Sequence, residues 1–122
     1  FRRVLFRSIR DFSFPVPIAV HQNFDRLVTA ADPARPGEVV HVYLSGLGPV
    51  SPVQQDNTPA TAPPPQTTDA LTCSSGVRVR FAGLAVGMVG VYQADLQMPE
   101  ISQLFYCSLG GVSSPSVYLP LQ

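Results

Sequence analysis

The chain has 122 residues, among them eight arginines, no lysine and eight acidic residues, and its formal net charge is zero. This length suffices for one domain with a buried core and is too short for two well-packed domains. The charge is too sparse for a nucleic-acid-binding surface, and no apolar run is long enough to span a membrane.

The first eight residues, FRRVLFRS, carry three of the eight arginines. The DNA sequence TTC AGA CGT GTG CTC TTC CGA TCT encodes this peptide, and it resembles a short-read sequencing adapter. We therefore interpret residues 1–8 as a translated artefact, and residues 9–122 as a single N-terminally truncated domain. The alternative is a basic amphipathic arm. Without this segment, five arginines remain against eight acidic residues.

The first predicted strands lie in PIAVHQ (17–22) and EVVHVYLSG (38–46). Residues 38–46 alternate in polarity, as a half-buried strand does. This pattern predicts one face formed by Val40, Val42 and Leu44, and an opposite face formed by His41, Tyr43 and Ser45. The preceding ADPARPG (31–37) predicts a turn at Pro36-Gly37.

Residues 49–69 differ in composition from the rest of the chain. They are rich in proline and contain almost no large apolar residue after Val53. Because proline removes backbone donors and favours extended, solvated backbone, this segment predicts a long Pro-rich surface loop.

Two further strands are predicted in ALTCS (70–74) and VRVRFAG (77–83), joined as a tight hairpin across Ser75-Gly76. In the second strand, alternation predicts that Val77, Val79 and Phe81 face the core and that Arg78 and Arg80 face water.

The remaining predicted strands are 91–99, 103–111 and 116–122. Alternation places Tyr92, Ala94, Leu96 and Met98 on one face of the first, and Val117, Leu119 and Leu121 on one face of the last. GGVSSP (110–115) resembles a hairpin turn, and Pro120 predicts an edge or the end of a strand. About seven short antiparallel strands with a long Pro-rich loop predict an all-β, immunoglobulin-like β-sandwich.

Three motifs in order, PARPGEVVHVYLSGLGPVSP (33–52), FAGLAVGMVGVYQADLQMP (81–99) and LGGVSSPSVYLPLQ (109–122), resemble one bacterial family. It is the uncharacterised C-terminal domain abundant in Acidobacteria and first described from Solibacter proteins. The resemblance covers residues 20–122. The family usually shows FAGLAPG, whereas this chain has Val86 in place of that proline. The resemblance implies an IPT/TIG-like module at the C-terminus of a larger secreted or surface protein, and it implies no catalytic or ligand-binding residue.

Cys73 and Cys107 are the only cysteines. Each lies on the same alternation face as large apolar neighbours. Because the resemblance implies secretion, we expect a structural disulfide between them, which an oxidising compartment would preserve. The alternative is two buried thiols that act as small apolar side chains.

Neither an enzyme nor a metal site is predicted. His21 and His41 are the only histidines, and the chain has no HxxxH, CxxC or GxSxG motif. GLGPVS (46–51) is too rich in proline to open a phosphate-binding helix. We therefore expect no catalytic residue, no metal and no cofactor.

The leading functional hypothesis is a non-catalytic structural or adhesion module of a secreted or cell-surface bacterial protein. Its partners would be upstream domains of the same polypeptide and components of the cell envelope. The alternative hypothesis is a carbohydrate-binding accessory module, in which Tyr43 and Tyr118 stack against sugar rings. These two tyrosines lie opposite the most aliphatic faces of their strands, so we expect them to be accessible.

Overall fold

The strands of this protein are short, and tight turns separate them. The computed structural model describes residues 5–6, 8–10, 15–55, 57–100 and 104–122. Over these ranges the chain forms fourteen strands and no helix, which confirms the predicted all-β class. Accordingly, the described residues include no helix that could cross a membrane. The strands are β1 (Leu5–Phe6), β2 (Ser8–Arg10), β3 (Pro15–Pro17), β4 (Ala19–Val20), β5 (Val39–Ser45), β6 (Val50–Ser51), β7 (Gln66–Thr67), β8 (Leu71–Cys73), β9 (Arg78–Leu84), β10 (Tyr92–Gln97), β11 (Leu104–Phe105), β12 (Cys107–Leu109), β13 (Val112–Ser113) and β14 (Val117–Tyr118).

The larger layer is a seven-stranded antiparallel sheet. Its order is β1-β5-β10-β9-β7-β6, and β4 also pairs with β5. At its centre, Val42 lies opposite Ala94, and Val40 lies opposite Leu96. Val40, Val42 and Leu44 are each 0% exposed, which confirms the alternation predicted for this strand.

The second layer consists of a three-stranded sheet, β13-β12-β8, and a two-stranded sheet, β11-β14. Its apolar side chains belong to the same buried cluster as those of the larger sheet, so one core lies between the layers. Burial of each large aliphatic or aromatic side chain contributes roughly 1.5–3 kcal/mol. The buried hydrophobic residues of this second layer and the chain end that follows it are Leu71, Phe105, Cys107, Leu109, Val117, Leu119 and Leu121.

The N-terminal strands lie at the periphery of this arrangement. β1 pairs with the end of β5, where Leu5 lies opposite Ser45, and β2 pairs with β3. β1 and the first residue of β2 fall within the segment interpreted as a translated adapter, and that interpretation stays a prediction. Residues 1–4 and 7 of this segment lie outside the described residues, as does Gln103 of the strand predicted at 103–111.

A β-bulge interrupts β9 at Arg80. Asp95 of β10 lies opposite Phe81, whereas the next residue, Leu96, lies opposite Val79. Arg80 therefore has no paired residue on β10. One extra residue in a strand moves the residues beyond it to the other face. Val79 packs against the core as predicted. Phe81 instead shares the outer face with Asp95, so its predicted core position is wrong.

Ser75 and Gly76 form the predicted tight turn, but not the predicted hairpin. Val77 N donates to the Ser74 carbonyl at 3.2 Å, and the two central residues have φ of 61° and 79°. However, the preceding strand β8 pairs with β12 of the second layer, whereas β9 pairs with β10 and β7 of the larger sheet. The turn is therefore a corner at which the chain passes from one layer to the other, and the hairpin prediction is wrong.

The Pro-rich segment 49–69 leaves the larger sheet and returns to it. Its ends form β6 and β7, which pair with each other, and Gln66 of β7 pairs with Gly83 of β9. The segment is thus a surface excursion between strands of the larger sheet, and the short strands β6 and β7 at its ends were not predicted. Pro49 and Pro52 flank β6, the edge strand, and proline at a sheet edge hinders pairing with another chain.

The C-terminal region follows its predicted pattern in part. The single strand predicted at 103–111 is divided at Tyr106 into β11, which pairs with β14, and β12, which pairs with β8. Gly110 and Gly111, with φ of 57° and 82°, close the hairpin between β12 and β13. β14 ends before Pro120, as the proline predicts. Beyond it the chain continues beside Ala34, whose N–H donates to the Pro120 carbonyl at 2.9 Å.

Candidate functional site

The two cysteines lie directly opposite each other on β8 and β12 and form a disulfide. Their Cα atoms are 4.0 Å apart, and Cys107 is completely buried. The bond links two neighbouring strands of the second layer, and both cysteines pack with the apolar core. The structure therefore supports the predicted disulfide and not the alternative of two free thiols.

The two candidate sugar-binding tyrosines lie on different layers. Tyr43 is half-buried on β5 and alternates with core residues of the larger sheet. Tyr118 is half-buried on β14 of the second layer, next to the buried Val117. Both side chains point away from the core that separates the layers, so the structure does not bring them to one surface. Burial, together with the negative charge of Asp95, raises the pKa of the Tyr43 hydroxyl.

A buried histidine, His21, connects the segment after β4 to the beginning of β5. Its Nδ1 lies 2.7 Å from Glu38 Oε2, and its Nε2 lies 3.0 Å from the Asp32 carbonyl. Carbonyl and carboxylate oxygens accept hydrogen bonds, so each ring nitrogen of His21 faces an acceptor. Arg26 extends the cluster, since its Nη1 donates to Asp32 Oδ2 at 2.6 Å.

Glu38 accepts hydrogen bonds from several directions. The backbone N–H of Arg35 donates to Oε1 at 2.9 Å, and that of Gln22 donates to Oε2 at 3.2 Å. Burial by itself opposes ionisation, but these hydrogen bonds and the contact with His21 outweigh it, and the pKa of Glu38 is lowered. The carboxylate is therefore part of the turn that precedes β5, where Gly37 has φ of 82°.

The second buried histidine, His41, forms a similar cluster on the outer face of the larger sheet. Its Nδ1 lies 2.6 Å from Asp95 Oδ1, and its Nε2 lies 3.0 Å from the Gln22 carbonyl. Gln93 Nε2 also donates to Asp95 Oδ1, at 2.9 Å. The ring of Phe24 stacks on the imidazole, with centroids 3.7 Å apart and an interplanar angle of 11°.

These clusters are suited to holding the chain together. A histidine that acts as a general base needs one nitrogen free to take a proton, whereas both nitrogens of His21 and of His41 face protein acceptors. In the part of the chain that the structure describes, no group of three or more His, Cys, Asp or Glu is arranged to hold a metal ion. The clusters thus fasten segment 21–38 to the larger sheet.

Sequence reasoning placed His41 on the outer face of its strand but missed its burial. The alternation signal is local, and it correctly separates His41 from the core residues on either side. The residues that cover the imidazole, Gln22 and Phe24, lie nearly twenty positions earlier in a segment without regular periodicity. No local pattern could have shown this contact.

Phe24 has an unusual conformation for a bulky residue. Its φ is 60°, a left-handed value that side chains with a Cβ seldom adopt. It closes a turn in which its N–H donates to the His21 carbonyl at 2.8 Å. One face of the ring contacts His41, yet 57% of the residue is exposed. The turn therefore holds an aromatic ring at the surface in a defined orientation.

A polar cleft of about 550 Å³ lies beside this turn. Gln22 and Asn23, which line the cleft, directly precede Phe24. The charged residues of the lining include two arginines and two carboxylates, so their formal charges balance. The polar side chains of the lining are His21, Gln22, Asn23, Arg26, Asp32, Arg35, Glu38 and Gln122.

A second, more apolar cavity of about 510 Å³ lies where the Pro-rich segment meets the chain between β9 and β10. Val53, Met88 and Val89 line it and are exposed, and Tyr92 donates from its hydroxyl to the Gly48 carbonyl at 2.6 Å. Its lining among the described residues contains no charged side chain.

Comparison with protein-family models, curated proteins and solved structures found no match to this chain. The resemblance to the acidobacterial C-terminal domain therefore stays a prediction, and the function must be argued from the geometry.

Proposed function

We propose that this chain is a non-catalytic, immunoglobulin-like structural or adhesion module of a larger secreted or cell-surface bacterial protein. The observation that carries the proposal is the Cys73–Cys107 disulfide, which joins neighbouring strands at the core. Structural disulfides persist in oxidising compartments and are rare in the reducing cytosol. The bond therefore favours an exported protein.

The disposition of the polar side chains supports a structural role. His21 and His41 use both ring nitrogens to fasten one segment to the sheet. Among the described residues, no fully buried side-chain nitrogen or oxygen lacks a hydrogen-bond partner. The two histidines are thus occupied in stabilising the fold, as expected of a module that spaces, displays or attaches other domains.

The partners of such a module would be upstream domains of the same polypeptide and components of the cell envelope. The motifs that resemble the acidobacterial C-terminal domain support this context, as does the two-layered sandwich. An IPT/TIG-like topology is part of the proposal and rests on the resemblance alone.

Export and disulfide formation can be tested with the full chain in two matched forms, one with a periplasmic export signal and one without. The exported chain should resist alkylation by iodoacetamide until it is reduced, because both thiols are bonded. The cytoplasmic form should be alkylated on both cysteines once it is unfolded. Alkylation of both cysteines in folded, exported protein without reductant would contradict the proposal.

Attachment can be tested with a fusion of the chain to the C-terminus of an exported fluorescent protein. We expect the fusion, but not the fluorescent protein alone, to sediment with acidobacterial envelope fragments. If it stays in solution while its disulfide is intact, attachment is excluded and a spacing role remains. Turnover of any substrate that is lost on mutation of one polar residue would instead indicate an enzyme.

A further inference from the structure

We propose that the Phe24 ring and the adjoining polar cleft form a binding site for a neutral oligosaccharide. Phe24 would supply the surface on which a sugar ring stacks, and the cleft would supply hydrogen bonds to the hydroxyl groups. The inference goes beyond the proposed structural role and uses neither of the tyrosines that the sequence suggested.

The conformation of Phe24 carries the first part of the argument. A left-handed φ of 60° costs conformational free energy for a residue with a large side chain. More than half of Phe24 is also exposed, so its ring gains little free energy from burial. Glycine or asparagine would meet the demands of the turn at less cost. The ring is nevertheless held flat against His41, and more than half of the residue remains exposed.

The electronic character of the ring fits a sugar. The face of an aromatic ring is electron-rich, and the C–H groups on the apolar face of a pyranose carry partial positive charge. His41 fixes the orientation of the ring through the stacked contact and is itself fixed by Asp95 at 2.6 Å. The platform is therefore rigid before a ligand arrives, which lowers the entropic cost of binding.

The cleft provides the second part of the argument. Its volume of about 550 Å³ lies within the range of small-ligand sites, ~300–1,000 Å³. Amide, guanidinium and carboxylate groups line it together, so the lining contains both donors and acceptors. A hydroxyl group both donates and accepts, and a neutral polyol can use such a mixture fully.

The charges of the cleft indicate a neutral ligand. Arg26 is already paired with Asp32 at 2.6 Å, and Glu38 is held by His21 at 2.7 Å. Because the two arginines and the two carboxylates of the lining balance in formal charge, an acidic ligand would gain little net attraction. Neutral oligosaccharides are therefore the class that the site fits.

The test uses the folded, disulfide-bonded chain with cellohexaose, maltohexaose and N-acetylchitohexaose as neutral probes, and hexagalacturonic acid as an acidic one. Binding is followed by amide chemical-shift changes in NMR spectra and by isothermal titration calorimetry. We expect saturable binding of at least one neutral probe at millimolar concentration. The largest shifts should lie in residues 22–26 and 35–38.

Three variants locate the site. Phe24→Gly should weaken binding about tenfold, equivalent to ~1.4 kcal/mol, and glycine tolerates the left-handed backbone. Phe24→Trp should retain or strengthen binding. Asn23→Ala should weaken binding as well, because Asn23 lines the cleft, whereas the control Tyr118→Ala on the other layer should leave it unchanged.

Several results would overturn the proposal. They are no binding of any neutral probe by the folded chain, binding of the acidic probe alone, or binding that survives both Phe24→Gly and Asn23→Ala. None of these results bears on the proposed structural role, which depends on export and on the state of the disulfide.

Discussion

The disulfide between Cys73 and Cys107 should supply a large share of the stability of this domain. Reduction of the bond in the unmutated chain is the cleanest perturbation, because it changes no residue of the core. The bond closes a loop whose ends are separated by 34 positions. In the chain-entropy treatment, a loop of this length stabilises the fold by about 4 kcal/mol at 25 °C.

That figure is large relative to the free energy of unfolding of a typical domain, about 5–15 kcal/mol. We therefore expect reduction to lower the free energy of unfolding by about 4 kcal/mol, and the melting temperature by on the order of 15 °C. The bonded cysteines lie on paired strands of the second layer. Loss of the bond should accordingly loosen β8 and β12 without moving the centre of the larger sheet.

The assay is urea unfolding followed by circular dichroism, with and without dithiothreitol. The double variant Cys73→Ala/Cys107→Ala is the matched control, and its unfolding midpoint should not respond to the reductant. A change in the midpoint of the unmutated chain equivalent to less than about 1 kcal/mol would refute the reasoning. It would mean that the unfolded chain is already constrained in this region, so that the bond has little entropy to remove.

Three further predictions concern packing and charge. Gly83→Ala should destabilise the fold by about 1–3 kcal/mol in urea unfolding, because a Cβ there would overlap the Pro65 carbonyl oxygen; an unchanged midpoint would contradict this. Leu119→Ala, at a fully buried site, should lower the free energy of unfolding by about 2–5 kcal/mol. The control Leu27→Ala, at a half-exposed site, should lower it much less, and equal losses in the two variants would be evidence against the described core. The lowered pKa of Glu38 stabilises the fold above about pH 4.5, and this contribution is lost as pH falls through the folded value. Stability curves of Glu38→Gln should therefore be flatter in acid, and identical acid limbs would argue against that role.

The parts of the fold that could be predicted from the sequence are those that depend on local alternation. Residues 38–46 and 91–99 alternate without interruption, and the structure places their apolar faces together at the centre of the larger sheet. The same holds for the last segment, where Val117, Leu119 and Leu121 are buried. A strand with one buried face carries that information in its own side chains, so no partner need be known.

The errors arose where the structure depends on a partner strand. The bulge at Arg80 is defined only by the register with β10, and it reverses the face on which Phe81 lies. Likewise, Ser75-Gly76 has the composition of a hairpin turn. The strand before it, however, pairs with β12 in the second layer, whereas the strand after it, β9, belongs to the larger sheet. Turn composition specifies a backbone conformation and does not specify which strands pair on either side of it.

The two histidine clusters show why segment 21–38 required the structure. This segment has few buried apolar side chains, chiefly those of Val28 and Ala34. A segment with so little apolar surface cannot be held by hydrophobic burial alone, and its attachment depends on hydrogen bonds of His21 and His41 to groups elsewhere. Such contacts are specific in geometry and leave no periodic trace in the sequence.

The same reasoning explains why the sequence selected Tyr43 and Tyr118 as sugar-stacking residues, which stays a prediction, and did not select Phe24. Tyr43 and Tyr118 were selected because each lies opposite the aliphatic face of its strand. In a two-layered sandwich that criterion directs them outward from different layers, with the core between them. A stacking surface and its hydrogen-bonding groups must instead share one layer or one turn. Phe24 satisfies this condition, because the residues that precede it line the adjoining cleft.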